Sequence, residues 1–195
     1  MDESQPAGRV AGQVIVLAGP PGAGKSTVAA ILAEVLEPSV HLHADDFWHY
    51  IKRGWIPPYL PGSHRQNEVV INVLATAAFG YASAGYQVIC DGVVGPWFIG
   101  PFRVAAAASG VQLHYVVLRP DQATALRRAT ARSAAALTDP EPVRSLHSQF
   151  ANLGSLERHA LDSTGLTADA TASVVRQGLA AGRFALPGLP AAGKS

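Results

Sequence analysis

The chain has 195 residues, of which 48% are hydrophobic and 15% are charged, and its net charge is +1. This size and composition fit one domain with a full core and exclude a disordered chain. No apolar run reaches the length of a membrane span, the near-neutral charge gives no broad surface for nucleic acid, and the single cysteine, Cys90, can form no intramolecular disulfide. The sequence therefore predicts a cytoplasmic protein with a buried, inert thiol and with neither a membrane nor a nucleic acid as partner. It leaves the oligomeric state open.

Apolar runs alternate with helix-like segments, a pattern typical of an α/β domain with a mainly parallel, five-stranded sheet. Strands are predicted at 14–18, 40–43, 87–90, 113–118 and 158–161. Helices are predicted at 25–36, 67–83, 101–109, 122–136, 143–153 and 168–180. Two segments interrupt this rhythm, one rich in aromatics and proline at 47–62 and one at 133–142. We expect one domain at 12–182 between flexible tails at 1–11 and 183–195.

A glycine-rich loop joins the first predicted strand to the first predicted helix. It matches G-x-x-x-x-G-K-[ST] and consists of Gly19, Pro20, Pro21, Gly22, Ala23, Gly24, Lys25 and Ser26, followed by Thr27. The glycines let backbone N–H groups turn toward a phosphate, and the following helix presents its positive end there. Lys25 adds a mobile cation, and the Ser26 hydroxyl can bind Mg²⁺. The loop predicts a site for a nucleoside triphosphate, with ATP and Mg²⁺ as cofactors.

The same pattern occurs again at 188–195, where we expect no phosphate site. The chain ends at Ser195, so no helix can follow the second copy, and Pro187 and Pro190 disfavour a buried strand before it. A frayed tail is the better interpretation.

Three carboxylates follow predicted strands. Asp91 ends the third predicted strand, just before Gly92. An aspartate at the end of a Walker-B strand helps to hold Mg²⁺. An aspartate in a turn is the alternative interpretation. Asp45 and Asp46 follow the second strand, where one can accept the proton of an attacking hydroxyl. Because neighbours on an extended chain point apart, we expect Asp45 to be the base and Asp46 to cap a turn, contact substrate or help with Mg²⁺. The two roles can be exchanged.

Two histidines, His41 and His43, alternate on the second predicted strand and therefore share a face. No third metal ligand is apparent beside them, so a packed or hydrogen-bonded pair is favoured over a metal site.

Arginines cluster on the fifth predicted helix, just before the irregular segment at 133–142. Arg128 and Arg132 are four residues apart and share a helix face, where guanidinium groups can stabilise a transferring phosphoryl group. A mobile segment of this kind would exclude water, so we interpret 133–142 as an arginine-bearing lid. A solvated basic face is the alternative. Arg119, after the fourth strand, is a weaker candidate.

The acceptor side of the site is less defined. Aromatic residues crowd the segment 47–62 and follow Asp91, and we expect Trp48 and Trp97 to form two walls of an acceptor pocket, with Arg65 nearby. A local aromatic core under a proline-rich loop is the alternative.

These motifs, in this order, resemble those of the P-loop small-molecule kinases, such as shikimate kinase, gluconate kinase, chloramphenicol phosphotransferase and the zeta-toxin kinases, which carry an AAA-type ATP-binding domain. The resemblance covers about 12–182 and implies a three-layer P-loop NTPase fold. It implies that Asp45 is the base, that Arg128 and Arg132 are the lid arginines, with Arg128 also on the nucleotide, and that the loop at 162–165 lies near adenine.

The function that follows from these residues is transfer of the γ-phosphate of ATP to a hydroxyl group of a small molecule. Lys25, Asp45, Arg128 and Arg132 are the expected catalytic residues, and Ser26 and Asp91 the metal ligands. A nucleotide-dependent switch that acts on a partner, and a kinase for a nucleic-acid 5′-hydroxyl, are the alternatives. The identity of the acceptor is left open.

Overall fold

The computed structural model describes residues 12–131 and 140–189. Within them, five parallel strands form one sheet in the order β2-β3-β1-β4-β5. The strands are β1 (Gln13–Ala18), β2 (Ser39–His43), β3 (Gln87–Gly92), β4 (Gln112–Leu118) and β5 (Ala160–Leu161). The predicted parallel sheet is confirmed, and the strand order adds which strands are neighbours.

Helices cover both faces of this sheet. They are α1 (Lys25–Val35), α2 (Ala44–His49), α3 (His64–Ser83), α4 (Gly100–Ser109), α5 (Gln122–Thr130), α6 (Pro140–Gln149) and α7 (Ala168–Ala180). Alternate residues of β1 enter two separate apolar clusters. Val14 and Val16 join the cluster beneath α3 and α4, whereas Ile15 and Leu17 join the cluster beneath α1 and α7. The expected three-layer α/β arrangement is thereby confirmed.

The central strand β1 places the glycine-rich loop at the middle of the sheet. Residues 14–18 of β1 have no solvent exposure, as expected for a strand with neighbours on both sides and helices on both faces. Leu17 lies beside Asp91 of β3, and His43 of β2 lies on the other side of Asp91. Because the strands are parallel, the loops that leave their carboxyl ends meet at one edge, where ligands of open α/β sheets bind.

Two predicted elements differ from the observed ones. The fifth strand is confined to Ala160–Leu161, because residues Gly154–His159 form a 3₁₀ helix whose His159 ring bonds to the Tyr115 carbonyl of β4. The segment after β2 is not irregular throughout, since it begins with the short helix α2. Asp45 and Asp46 lie in the first turn of α2, where negative charge stabilises the positive end of a helix. This acidic pair is a sequence signal for a helix start, but the aromatic residues that follow it favoured an irregular segment.

The prediction of a flexible C-terminal tail is wrong for residues 183–189. The Tyr115 backbone N–H donates to Phe184 O and the Leu186 N–H to Leu113 O, so this segment forms an isolated antiparallel bridge with the first half of β4. The Phe184 side chain has no solvent exposure. Its ring packs on Gly178 of α7, where an added Cβ would lie 2.2 Å from a ring carbon.

The second glycine-rich pattern starts in this same segment. Gly188 packs against the backbone of Ala107 at the end of α4, and the Leu189 N–H donates to Arg103 O. This position lies toward the amino ends of the strands, away from the first loop, while 190–195 lie outside the described residues. No helix in 12–131 or 140–189 has the length and apolar character needed to cross a membrane.

Candidate active site

The glycine-rich loop adopts a conformation that only glycine accommodates easily. Gly19, Gly22 and Gly24 have φ angles of 145°, 79° and 90°. A Cβ on Gly22 would lie 2.0 Å from Ala125 O, so the loop packs directly against the backbone of α5. Gly24 is the N-cap of α1, where no side chain caps the first N–H groups and no acidic residue lies in the first turn. The loop thus directs uncapped donors and a positive helix end to one point.

The Lys25 side chain lies over this loop. The residue is only 7% exposed, and its ammonium donates to Pro20 O at 3.0 Å. The ammonium also lies close enough to the Asp91 carboxylate to help lower the pKa of that group. Lys25 is therefore held where the sequence pattern predicts a phosphate-binding cation.

Ser26 and Asp91 meet as predicted, at the junction of α1 and β3. The Ser26 hydroxyl donates to Asp91 Oδ2 at 2.6 Å, and Asp91 is 1% exposed. Burial alone would raise the pKa of Asp91, but hydrogen bonds from His41 and Ser26, with the nearby His43 and Lys25, hold it below its usual value. The result is an ionised carboxylate beside a hydroxyl oxygen, a pair of hard oxygen ligands that fits Mg²⁺.

The two histidines of β2 complete this polar cluster, and each has its own hydrogen-bond partner in it. His41 Nε2 lies 2.7 Å from Asp91 Oδ1, and His43 Nε2 lies 3.2 Å from Ser26 Oγ. Because an ionised carboxylate only accepts, His41 carries its proton on Nε2. Ser26 gives its one proton to Asp91, so His43 Nε2 must donate to Ser26. The other ring nitrogen of His43, the buried Nδ1, has no hydrogen-bond partner within 12–131 and 140–189.

A cleft of about 330 Å³ adjoins the loop on the side of β5. Residues 22–24, Arg128 of α5 and the segment 166–168 line it. Arg128 Nη2 donates to Thr164 O at 3.3 Å, so the guanidinium reaches the segment predicted to lie near adenine. Arg132, together with 133–139 of the expected lid, lies outside the described residues, and its role stays a prediction. Residues 140–142 begin α6 rather than continuing an irregular lid.

Arg119 has a different role from the one considered for it. Its Nη1 donates to Phe150 O at 3.2 Å and to Ala151 O at 3.3 Å, and its Nη2 pairs with Glu157. These bonds fix the chain just after α6. These contacts give the Arg119 guanidinium a structural role in holding this segment.

The carboxylates predicted as base lie at the start of α2. Asp45 and Asp46 are both exposed and both belong to the first turn of this helix. Adjacent residues of a helix point about 100° apart, so the two side chains still face different directions, although not on the extended chain that we expected. The assignment of the base to Asp45 stays a prediction.

The four residues expected on the acceptor side differ in exposure. Trp48 is 8% exposed, and its indole N–H donates to Asn67 Oδ1 at 2.8 Å, so it is part of the core. Trp97 is 43% exposed and lies edge-on against Phe150, with 5.3 Å between ring centroids. Asp46 and Arg65 are exposed. Of the two tryptophans, Trp97 has the accessible ring that an acceptor wall requires.

A larger cleft, of about 560 Å³, lies between the end of α4, the start of β4 and the segment 185–188. It is at the amino ends of the strands, and Arg158 is the charged residue in its lining. Since the phosphate loop, Ser26 and Asp91 all lie at the opposite end of the sheet, the smaller cleft is the one placed for chemistry.

Comparisons with known proteins agree with this geometry. A family model described as an AAA domain matches residues 14–153. The match covers more than half of the chain, which therefore belongs to this family. No curated protein sequence matches the chain.

Solved structures share the fold over most of their length. The tunicamycin resistance protein of Deinococcus radiodurans is 17% identical with a TM-score of 0.61, covering 90% of this chain and 99% of that one. The APS kinase of Mycobacterium tuberculosis in complex with AMPPNP and APS is 19% identical with a TM-score of 0.59, covering 87% and 98%. A gluconokinase of Sinorhizobium meliloti is 17% identical with a TM-score of 0.59, covering 88% and 91%. The expected P-loop kinase fold is confirmed.

Proposed function

We propose that this protein is an ATP-dependent kinase that transfers the γ-phosphate to a hydroxyl group of a small molecule. The observation that carries the proposal is the meeting of Lys25, Ser26 and Asp91 around the glycine-rich loop. Proteins named as kinases share the fold over nearly their whole length, and one of them is described with AMPPNP and APS.

The nucleotide phosphates bind to the backbone N–H groups of residues 19–27 and to the Lys25 ammonium. The uncapped start of α1 and the positive φ angles at Gly22 and Gly24 support this assignment. The cleft beside Arg128 takes the nucleoside, since it opens from the same loop and its walls are made by residues 166–168. Arg128 thereby contacts the nucleotide, and Arg132 is the second candidate for the transferred group.

Ser26 and Asp91 are the residues that would hold Mg²⁺. No group of three or more His, Cys, Asp and Glu side chains forms a metal site within 12–131 and 140–189. This suits Mg²⁺, which keeps several waters and uses one or two protein ligands besides the phosphates of its nucleotide. When bound, Mg²⁺ supplies charge neutralisation at the β- and γ-phosphate oxygens.

Asp45 is the proposed base that accepts the proton of the acceptor hydroxyl. It follows β2, whose last residue pairs with Asp91, so both carboxylates leave the same edge of the sheet. Its exposure at the start of α2 leaves it accessible to an incoming acceptor. Trp97 is the proposed aromatic wall, with Asp46 and Arg65 as further contacts, whereas Trp48 belongs to the buried core.

The experiment that tests the proposal is ATP turnover by the purified protein, first alone, then with a library of small hydroxyl compounds, then with oligonucleotides. A kinase for small molecules is stimulated by members of the library and not by oligonucleotides. Fast turnover that no acceptor changes would instead indicate a nucleotide-dependent switch, and stimulation by oligonucleotides a nucleic-acid kinase.

With an acceptor in hand, Asp45→Asn should lower kcat by about 10²–10⁴ while nucleotide affinity persists, because a positioned base contributes about that much. Asp46→Asn is the variant for comparison, since it removes the neighbouring charge from the same helix turn. A larger loss in the Asp46 variant would exchange the two roles.

A further inference from the structure

The parallel register of β2 and β3 places His41 near the Asp91 carboxylate. In that register His43 lies beside Asp91, and His41 lies two residues earlier, beside Ile89. Alternate residues of a strand project from the same face, so His41 and His43 both lie on the face of Asp91. His41 crosses diagonally from the edge strand to the carboxylate, where its Nε2 reaches Oδ1 at 2.7 Å.

The two oxygens of Asp91 have separate partners. Oδ1 accepts from His41, whereas Oδ2 accepts from the Ser26 hydroxyl at 2.6 Å. A carboxylate with 1% exposure has lost most of its water and needs such donors. Because the group is planar, a bond that fixes Oδ1 also fixes the direction of Oδ2.

We propose that His41 is a positioning residue: its Nε2–H fixes the Asp91 carboxylate so that Oδ2 and the Ser26 hydroxyl face the magnesium–nucleotide complex together. This inference rests on the proposed nucleotide site and not on the identity of the acceptor. Hydrogen-bonded partners behind metal-binding carboxylates orient them, and their loss costs about 10–100-fold in metal affinity or activity.

His43 is not equivalent to His41. Its Nε2 lies 3.8 Å from Asp91 Oδ2, beyond hydrogen-bond distance, and 3.2 Å from the Ser26 hydroxyl oxygen. It therefore contacts the oxygen of Ser26 and does not hold the carboxylate. The two histidines on this strand face therefore have different partners, and only His41 is hydrogen-bonded to the Asp91 carboxylate.

The test is equilibrium binding of a fluorescent ATP analogue to the full chain, measured once with Mg²⁺ and once with EDTA. The ratio of the two Kd values reports how much Mg²⁺ tightens nucleotide binding, without any phosphate transfer. In the His41→Phe variant we expect this ratio to fall by about 10-fold. The Kd in EDTA should stay unchanged, because the glycine-rich loop is intact.

His41→Gln should restore most of the ratio, since its amide Nε2–H can still donate to Oδ1. His49→Phe is the matched control, because His49 is an exposed histidine at the end of α2. If His41→Phe does not fold, His41→Ala repeats the comparison, since 27% of the His41 side-chain surface is exposed and its removal leaves no closed cavity.

Three results would overturn the proposal. The first is a ratio near that of wild type in the variants without a donor. The second is a loss in His41→Gln as large as in His41→Phe, and the third is an equal weakening in EDTA. Failure of every hydroxyl acceptor would reject the kinase assignment but would leave this comparison intact, so the two failures are distinguishable.

Discussion

The two tryptophans that the sequence placed in one pocket should respond differently to truncation. Trp48 belongs to the buried cluster between α2, α3 and the sheet, whereas Trp97 keeps 43% of its surface exposed. Replacing a buried Trp by Ala costs about 3–5 kcal/mol, since the transfer free energy is lost and a cavity remains. We therefore expect Trp48→Ala to lower the free energy of unfolding by that amount. Trp97→Ala, which loses aromatic contacts with Phe150 and Phe98 and the packing of the ring on Gly95, should lower it by less, about 1–2 kcal/mol.

A third variant separates shape from hydrogen bonding. Trp48→Phe keeps an aromatic ring but removes the N–H that donates to Asn67 Oδ1, and Asn67 is itself 4% exposed. An unpaired buried acceptor costs about 1–3 kcal/mol. This loss should loosen the segment 56–63, because Asn67 Nδ2 also holds Pro58 O and Ser63 Oγ.

The assay is urea unfolding of each variant followed by circular dichroism, with acceptor KM measured on the folded protein. A loss below about 1 kcal/mol in Trp48→Ala, or an equal loss in both Ala variants, would refute the assignment of Trp48 to the core. A raised acceptor KM in Trp97→Ala with unchanged nucleotide affinity is the result expected of an acceptor wall.

Two further predictions concern stability. Among the described residues, the Cβ of Gly24→Ala meets no atom within 4 Å apart from its chain neighbours, so the variant should cost about 1–2 kcal/mol from its left-handed backbone alone. Gly22→Ala adds a Cβ 2.0 Å from Ala125 O and should cost clearly more; equal urea midpoints of the two variants would contradict the contact between the loop and α5. His114 is 1% exposed, and neither of its ring nitrogens has a hydrogen-bond partner among the residues that the structure describes. Burial, followed by the nearby His159, lowers its pKa below 6.5. Because the unfolded chain then binds more protons, the free energy of unfolding should fall as the pH drops below about 6.5, by up to about 1.4 kcal/mol per pH unit for this group. His114→Leu should reduce the slope of the free energy of unfolding against pH. Part of the slope should remain in this variant, because burial also lowers the pKa of His159. An unchanged slope in His114→Leu would contradict the reasoning.

The fold was largely predictable because the three central strands, β1, β3 and β4, are mostly apolar runs and several helices have clear ends. The helix Ala168–Ala180 was predicted with its observed bounds, since Thr167 provides an N-cap whose hydroxyl accepts from the Ala170 N–H. The helix α2 was missed because its aromatic residues suggested an irregular segment. Residues 183–189 were missed because their order comes from pairing with β4, a contact distant in sequence.

The glycine-rich loop could be predicted from the sequence, and the structure brings Ser26 and Asp91 together as expected. The role of His41 could not be predicted, although its alternation with His43 was visible. That role depends on β2 being the neighbour of β3, which the order of segments along the chain does not determine. The burial of Trp48 depends in the same way on the packing of α2 against α3.

The most direct test of the central claim follows the γ-phosphate itself. The protein is incubated with ATP labelled in that position, Mg²⁺ and each acceptor that stimulates turnover, and the label is located in the products, with Lys25→Ala as the inactive control. The account predicts that the label appears in the hydroxyl compound in proportion to the ADP formed, and that Lys25→Ala forms neither. Label found only in inorganic phosphate, or transfer by Lys25→Ala at the wild-type rate, would contradict it.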